Sequence, residues 1–259
     1  MPFGVLFDTL ALMTEAKIAD KKAIIQKMFE AGAHYGYGRT RRHPSAGNYI
    51  YGTKNRVELF DLEKTNDLLE TAKNIVRTIT GEGGQVLFVS GKQEATALIR
   101  QEAEKVGAPF VAGRWIGGTI TNFGEIRKRI EHMEDLVSKR EKGELAKYTK
   151  LERLRIDREI DDLRKMFDGL VSMKSLPKAL FIIDVVKEKT AHKEAKSKNI
   201  PVISLSSTDC NFKEIDYPVP ANDTSFTSIA FFVKQIAEAY SEGKKLKTTS
   251  QTSSSPAII

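Results

Sequence analysis

The sequence has few of the features that mark secreted or membrane proteins. Its 259 residues include a single cysteine, Cys210, which rules out an internal disulfide and fits a reducing compartment. No run approaches the ~20 consecutive apolar residues that a membrane-spanning helix needs. The apolar N-terminal stretch is interrupted by Asp8 and has no basic residue before it, unlike a signal peptide. We therefore expect a cytoplasmic protein with no membrane partner and with a short extension over residues 1–18.

Residues that would carry catalysis or bind a metal are also sparse. The four histidines lie without metal-ligand spacing, at His34, His43, His132 and His192. Cys210 follows Asp209, whose carboxylate would discourage a thiolate. Asp184 and Asp209 each end a predicted buried strand and are weak candidates for a metal site, although helix capping explains both equally well. The sequence predicts no catalytic residue and no cofactor, and it leaves the metal open.

Two glycine turns resemble phosphate-binding loops without matching one. In VSGKQ, Gln93 stands where a P-loop has Ser or Thr, and no glycine lies five residues before Gly91. In RWIGGTITN, the pair Gly117 and Gly118 forms a second turn where an anion could sit, but nothing there identifies a nucleotide. A nucleotide-binding enzyme and a coiled-coil scaffold for other proteins therefore remain alternative hypotheses. They rank second and third, behind the hypothesis that is developed below.

Most of the chain alternates apolar strands with helices. Helices are predicted over about residues 20–30 and 62–79, and a third follows the strand 85–90 and ends at about residue 106. Strands are predicted at 49–51, 57–60, 85–90, 109–113, 179–184 and 201–205. Continuous apolar strands alternating with helices indicate a parallel sheet covered on both faces. We predict an α/β domain with a flavodoxin/Rossmann-like parallel sheet flanked by helices, built from residues 19–123 and 172–242.

The segment 124–171 breaks this rhythm, since it is charged in both signs and contains no predicted strand. Its apolar residues form two narrow stripes on either side of Gly143, at Ile126, Ile130, Met133 and Val137, then at Ile156, Ile160, Leu163, Phe167 and Leu170. Narrow stripes predict an antiparallel coiled-coil hairpin inserted into the α/β domain. Two helices lying flat on the sheet remain the alternative, and they would call for wider apolar faces. Residues 243–259, rich in Ser, Thr and Lys, predict a disordered tail.

The charge balance indicates a polyanionic partner, because 41 Lys and Arg face 34 Asp and Glu, a net charge of +7. Basic and aromatic residues interleave in HYGYGRTRRHPSAGNYIYGTKNR, and we do not expect AGAHYGYGRTRRHPSAG, which contains its first part, to form a regular element. Arginine gives bidentate phosphate contacts, and tyrosine offers a stacking face or a ribose contact. The predicted RNA-binding residues are Tyr35, Tyr37, Arg39, Arg41, Arg42, His43, Lys54, Arg56 and, outside this segment, Arg114. In the alternative, the segment is a solvated basic loop, and RNA is held by Arg114, the hairpin and the C-terminal lysines.

Three long stretches resemble the second protein of the bacterial-type small ribosomal subunit (the S-two family). EAGAHYGYGRTRRHPSAGNYIYGTKNRVELFDLEKT is similar to the family's N-terminal signature, and GRWIGGTITNFGEIRKRI to its most diagnostic stretch. LPKALFIIDVVKEKTAHKEAKSKNIPVISLSSTDCNFKEIDYPVPANDTSFTSI resembles its C-terminal signature. Together they cover most of positions 28–240 in the family's order.

The resemblance implies an α/β domain with an inserted coiled-coil hairpin and no catalytic activity. It also implies a place at the head–body junction of the small subunit, in contact with 16S-type rRNA and other small-subunit proteins. In bacteria one such protein is the large mRNA-binding ribosomal protein. The chain departs from the family pattern at Tyr37, where a histidine is usual, at Gly169, where two glycines are usual, and in the less acidic LSSTDCN. These departures bear on local contacts, including any metal.

Overall fold

The computed structural model describes residues 20–252, and the side chains of residues 20–246. Its centre is a sheet of five parallel strands in the order β5-β4-β6-β7-β8. These strands are β4 (Val86–Ser90), β5 (Phe110–Ala112), β6 (Ala179–Ile183), β7 (Val202–Ser206) and β8 (Tyr217–Pro220). Counted along the chain within this sheet, the order is 2-1-3-4-5, which is the flavodoxin-like doubly wound arrangement. The predicted α/β class is therefore confirmed.

The sheet is buried on both faces, because most positions of its strands are apolar and Ser90, Ser204 and Ser206 are buried among them. Alternate residues of a strand point to opposite faces: in β4, Val86 and Phe88 belong to one core cluster, and Leu87 and Val89 to the other. The first cluster lies under the helices over residues 20–30, 62–81, 93–106 and 226–252, and the second under those over residues 123–141, 150–167 and 189–197. This two-sided burial explains why the strands read as continuous apolar runs.

Seven helices are described. They are α1 (residues 20–30, the part described), α2 (Leu62–Gly81), α3 (Gln93–Val106), α4 (Phe123–Glu141), α5 (Lys150–Phe167), α6 (Lys189–Ser197) and α7 (Phe226–Thr252). Their starts follow capping chemistry where the sequence supplies it. The Asp61 carboxylate accepts hydrogen bonds from the Glu63 and Lys64 amides at the start of α2, and Thr149 and Glu152 form a capping box at the start of α5.

A second, antiparallel sheet precedes the central one and contains β1 (Tyr35–Gly38), β2 (Ile50–Lys54) and β3 (Val57–Phe60) in the order β1-β3-β2. The expectation that HYGYGRTRRHPSAG holds no regular element was wrong, since its first residues form β1 and pair with β3. Glycine is a poor strand former in isolation, but the ladder with β3 overrides that preference.

The segment between β5 and β6 contains α4 and α5, joined through a 3₁₀ turn over Glu144–Lys147. The two helices pack against each other, with His132 close to Glu159 and Arg140 close to Asp157. Their sheet-proximal residues Ile126, Ile130, Met133, Phe167 and Leu170 belong to the core cluster beneath the sheet. Near the sheet, the apolar residues of α4 and α5 therefore pack into the domain core. The two helices do not form a separate apolar seam along their whole length.

Two further elements differ from the sequence-based prediction. The strand β8 was missed because Pro218 and Pro220 lie in it. Proline is tolerated there because β8 is the edge strand of the sheet. The tail predicted as disordered from residue 243 is helical to Thr252, since α7 continues through it. Extending a packed helix costs little once it is nucleated. The extension over residues 1–18 and the last residues, 253–259, lie outside the described part.

Candidate RNA interface

The predicted RNA-binding residues, apart from Arg114, lie in one region, which we call the arginine–tyrosine segment (residues 35–56). It runs through β1, two 3₁₀ turns (Arg39–Arg41 and Pro44–Tyr49), β2 and the start of the turn to β3. The segment is joined to the central sheet by hydrogen bonds from the Tyr37 amide to Thr208 Oγ1 (3.0 Å) and from the His43 amide to the Thr208 carbonyl (2.8 Å). The carboxyl ends of the parallel strands therefore position it.

Three cations of the segment share one edge of the small sheet. Lys54 and Gly38 are both register partners of Val57, so Arg39, Lys54 and Arg56 come together at the β2–β3 turn. Asn55 and Arg56 have positive φ, 52° and 66°, as a tight two-residue hairpin turn requires. All three cations are exposed. None of them takes part in an ion pair of the described residues.

Arg41 and Arg42 instead have partners inside the protein. The Arg41 guanidinium lies 4.1 Å from the centre of the Tyr37 ring and 3.6 Å from Asp209. Arg42 Nη1 donates to Glu58 Oε1 over 3.1 Å, and Glu58 is only 1% exposed. Removing the Arg42 side chain would leave a buried carboxylate without its cation, which is destabilising. Arg42 is therefore a structural residue.

The aromatic and imidazole side chains of the segment differ in exposure: Tyr35 is exposed, whereas Tyr37 and His43 are partly buried. Tyr35 is 50% exposed and lies against His34 (4.0 Å between ring centres), which stacks on Phe29 at 4.4 Å. Tyr37 is partly buried, and burial raises the pKa of its hydroxyl. The His43 Nδ1 accepts from the Ser45 amide and caps the second 3₁₀ turn. Of these predicted residues, Tyr35 is the one presented to solvent for stacking.

Arg114 lies on another part of the molecule, directly after β5. It is exposed and lines a hollow of about 320 Å³ with Gly91, Trp115, Lys187, Glu188 and Thr190. The arginine–tyrosine segment contributes no residue to this hollow. The structure thus does not bring Arg114 into the same cluster as the other predicted residues.

The first glycine turn, after β4, lies at the switch point between β4 and β6, where doubly wound folds bind their ligands. In this protein the chain's own charges occupy it. Lys92 Nζ lies 2.8 Å from Asp184 Oδ2 and 3.1 Å from Asp223 Oδ2, and it donates to the Asp223 carbonyl. A side chain at position 91 would meet the carboxylate of Glu188, which approaches Gly91 closely. The lysine that resembles a P-loop residue therefore neutralises two carboxylates.

The second glycine turn holds an anion, and that anion is the carboxylate of Glu194 on α6. Its Oε1 accepts from Trp115 Nε1 (3.1 Å) and the Gly118 amide (2.8 Å). Its Oε2 accepts from the Ile120 amide and from the amide and hydroxyl of Thr121, over 3.0–3.1 Å. Gly118 has φ +91°, a conformation that favours glycine. Glu194 was missed by the sequence-based reasoning.

Asp184 and Asp209, the weak metal candidates, both have cationic neighbours, Lys92 and Arg41 respectively. Within residues 20–246, no group of three or more His, Cys, Asp or Glu side chains is arranged to hold a metal ion. Cys210 is buried, and burial raises the pKa of its thiol to about 12, so the thiol stays protonated at neutral pH.

Comparison with known proteins decides the family. The model of the family described as Ribosomal protein S2 matches residues 28–243. The chain belongs to this family. Among relatives, the small ribosomal subunit protein uS2 of Coprothermobacter proteolyticus is 40% identical over 221 residues, covering 85% of this chain and 82% of the relative. The protein of the same name from Roseiflexus sp. (strain RS-1) is 40% identical, with 90% and 89% covered, and uS2c of Rhodomonas salina is 39% identical, with 87% and 93% covered.

Membership in this family confirms the resemblance noted in the sequence. The protein is a ribosomal protein with a structural role and is not an enzyme. Both glycine turns agree with this, because each is occupied by carboxylates of the protein itself. In the part of the chain that the structure describes, no helix is long and apolar enough to cross a membrane.

Proposed function

We propose that the protein is a structural constituent of the small ribosomal subunit and binds 16S-type rRNA through the arginine–tyrosine segment. The observation that carries this proposal is the group of three exposed cations, Arg39, Lys54 and Arg56, at one edge of the small sheet. Cations without an internal partner are free to neutralise phosphates, and Tyr35, at the other end of β1, presents an exposed ring for stacking. Arg41, in the same segment, stacks on the partly buried ring of Tyr37.

The pair α4 and α5 is proposed as a coiled-coil arm that contacts neighbouring small-subunit proteins in the cytoplasm, including the large mRNA-binding one where the organism has it. Two observations support this proposal, one near the sheet and one further out along the helices. Near the sheet the arm is anchored in the core through Ile130 and Phe167. Further out, Leu151 and Leu154 are 58% and 46% exposed, three residues apart on one face of α5. An exposed apolar pair on a charged helix suits a protein contact.

Replacing Arg39, Lys54 and Arg56 together with glutamine is expected to weaken binding to small subunits that lack this protein. For every phosphate that is no longer neutralised, the slope of log affinity against log salt should fall by roughly 0.7 to 0.9. Stability should change by no more than about 0.5 kcal/mol, because exposed side chains without partners contribute little. Binding is measured across a potassium chloride series, and stability is measured by urea unfolding.

The matched control removes three exposed lysines of α4 and α5 that have acidic partners, Lys128, Lys139 and Lys165. It changes the net charge by the same amount, so a general charge effect would appear in both variants. A slope that falls only in the control would show that α4 and α5 hold the RNA, and the segment would not be the anchor.

A further inference from the structure

A second group of exposed cations lies on α6, outside the arginine–tyrosine segment. We propose that the groove between α6 and residues 210–214, here called the lysine groove, receives one unpaired rRNA nucleotide, with the flanking phosphates on the lysines of α6. The inference rests on the proposed function and adds a site and a ligand to it. The lysine groove has a volume of about 420 Å³ and is lined by Val185, Val186, Lys189, His192, Lys193, Lys196, Cys210, Asn211 and Glu214.

The floor of the lysine groove is apolar. Val185 and Cys210 are buried, at 7% and 2% exposure, and Val186 is partly exposed above them. The thiol of Cys210 stays neutral because burial raises its pKa, so it behaves as part of an apolar surface. A flat, uncharged floor of this kind suits the face of an unstacked base, which loses little hydration when it is covered.

One rim of the lysine groove is a row of cations. Lys189, Lys193 and Lys196 are exposed and follow the i, i+4, i+7 spacing that places them on one face of α6. No ion pair of the described residues involves any of the three. The lysines of α4 and α5 differ, since Lys128 and Lys139 each pair with an acid one helical turn away. An unpaired row of this length is suited to successive phosphates of one RNA strand.

Hydrogen-bonded polar groups line the rest of the lysine groove, namely His192 on α6 itself and Asn211 and Glu214 on the opposite rim. His192 Nε2 lies 3.1 Å from the Glu214 carbonyl, and Asn211 Nδ2 donates to Glu214 Oε1 over 2.6 Å. Glu214 is the one carboxylate that lines the groove. We therefore place the phosphates on the lysine rim and the hydrogen-bonding edge of the base on the rim that carries Glu214. A carboxylate accepts hydrogen bonds from the amino group of a base.

The lysine groove also adjoins the arginine–tyrosine segment. The Ser45 hydroxyl donates to the Cys210 carbonyl (3.4 Å) and accepts from the Phe212 amide (3.0 Å), so one wall of the groove is tied to the segment. Tyr49 packs edge-on against Phe212 at 5.0 Å. One RNA strand bound along the segment can therefore continue onto α6. This continuity favours RNA over an acidic protein segment as the occupant.

Two variants test this proposal by different readouts. Changing Lys189, Lys193 and Lys196 to glutamine is expected to lower the salt slope of binding to small subunits lacking this protein by roughly 2 to 3. Changing Val186 to tryptophan fills the groove and is expected to weaken binding several-fold while leaving the slope unchanged. Lys128, Lys139 and Lys165 changed to glutamine again serve as the matched control. Circular dichroism and urea unfolding verify that each variant is folded.

Photo-cross-linking identifies the occupant. Small subunits reconstituted with 4-thiouridine-substituted rRNA are irradiated, and cross-linked peptides are located by mass spectrometry. A uridine attached within residues 185–196 or 210–214 supports the proposal. Uridine attached only to other parts of this protein, or unchanged affinity and slope in both folded variants, would overturn it. If both variants behave like the wild type and the wild type still binds small subunits, the proposed function stands. If the wild type does not bind small subunits, the proposed function itself fails.

Discussion

Replacing Glu194 with alanine is expected to lower the free energy of unfolding by about 3 to 5 kcal/mol. The carboxylate accepts five hydrogen bonds from residues 115–121, three of them from backbone amides. Glu194 is 8% exposed, so water cannot easily replace it. Without the carboxylate, the turn loses the group around which it folds. Urea unfolding followed by circular dichroism measures the change.

Two further variants test whether the effect of Glu194→Ala is specific to its carboxylate. Glutamine at this position can accept only at one oxygen and should fall between alanine and wild type. Alanine at the adjacent Lys193, which is exposed on the same helix, should leave stability within about 0.5 kcal/mol of wild type. A loss below about 1 kcal/mol for Glu194→Ala would mean that the turn does not depend on this carboxylate.

The Glu194 contribution should also depend on pH. Burial on its own would raise the pKa of this carboxyl, but hydrogen bonds from Gly118, Thr121, Trp115 and Ile120 outweigh it, so the pKa lies below its usual value. A depressed pKa stabilises the folded state above the unfolded value of about 4.3. This stability is lost as pH falls through the lower folded value. The difference between wild type and Glu194→Ala should therefore be full at neutral pH and shrink in acid.

Replacing Lys92 with alanine is the second change with a large expected effect, again about 3 to 5 kcal/mol. The ammonium lies between Asp184 and Asp223, and Asp223 is 1% exposed. Removing the cation leaves a buried carboxylate that has no other hydrogen-bond partner at its oxygens. The same variant should show no change in ATP or GTP binding by calorimetry, because neither wild type nor variant is expected to bind nucleotide.

The Lys92 effect should also shrink in acid, but for a different reason, which is the raised pKa of Asp223. Burial raises the pKa of Asp223 to about 6, although Lys92 works against the shift. A raised carboxyl pKa means that the folded state loses stability as pH rises from the unfolded value of about 4 to the folded value. Wild type and Lys92→Ala should differ least near pH 4, where Asp223 is protonated, and most above pH 6. Adding Asp223→Asn to the variant should recover stability at neutral pH; no recovery would contradict the role given to Lys92.

The central sheet could be predicted because burial on both faces leaves a local signal. β6 is apolar at every position and β4 at every position but its last, Ser90, and four of the five parallel strands were predicted. The fifth, β8, carries two prolines, and only its place at the sheet edge makes them acceptable. The strand β1 was missed for a related reason, since its pairing with β3 depends on residues about twenty positions away.

The sequence predicted where the candidate site lies, but not which of its residues are exposed and which are paired inside the protein. Composition located the arginine–tyrosine segment, but it could not separate the exposed Arg39 from Arg42, because the pairing with Glu58 is made across the small sheet. The turn RWIGGTITN was correctly seen as able to hold an anion. Its anion is Glu194, seventy-six residues after Gly118. A helical pattern of Ala191, Glu194 and Ala195 on one face of α6 was the available signal that Glu194 points inward.

The central claim is that this chain is a constituent of the small ribosomal subunit held by RNA contacts. Sedimentation tests it most directly: purified protein is mixed with small subunits that lack it and is run through a sucrose gradient at moderate salt. The account predicts that the protein migrates with the small subunits and is released steadily as salt rises, since phosphate contacts are salt-dependent. Protein that stays at the top of the gradient at moderate salt, while circular dichroism shows it to be folded, would contradict the account.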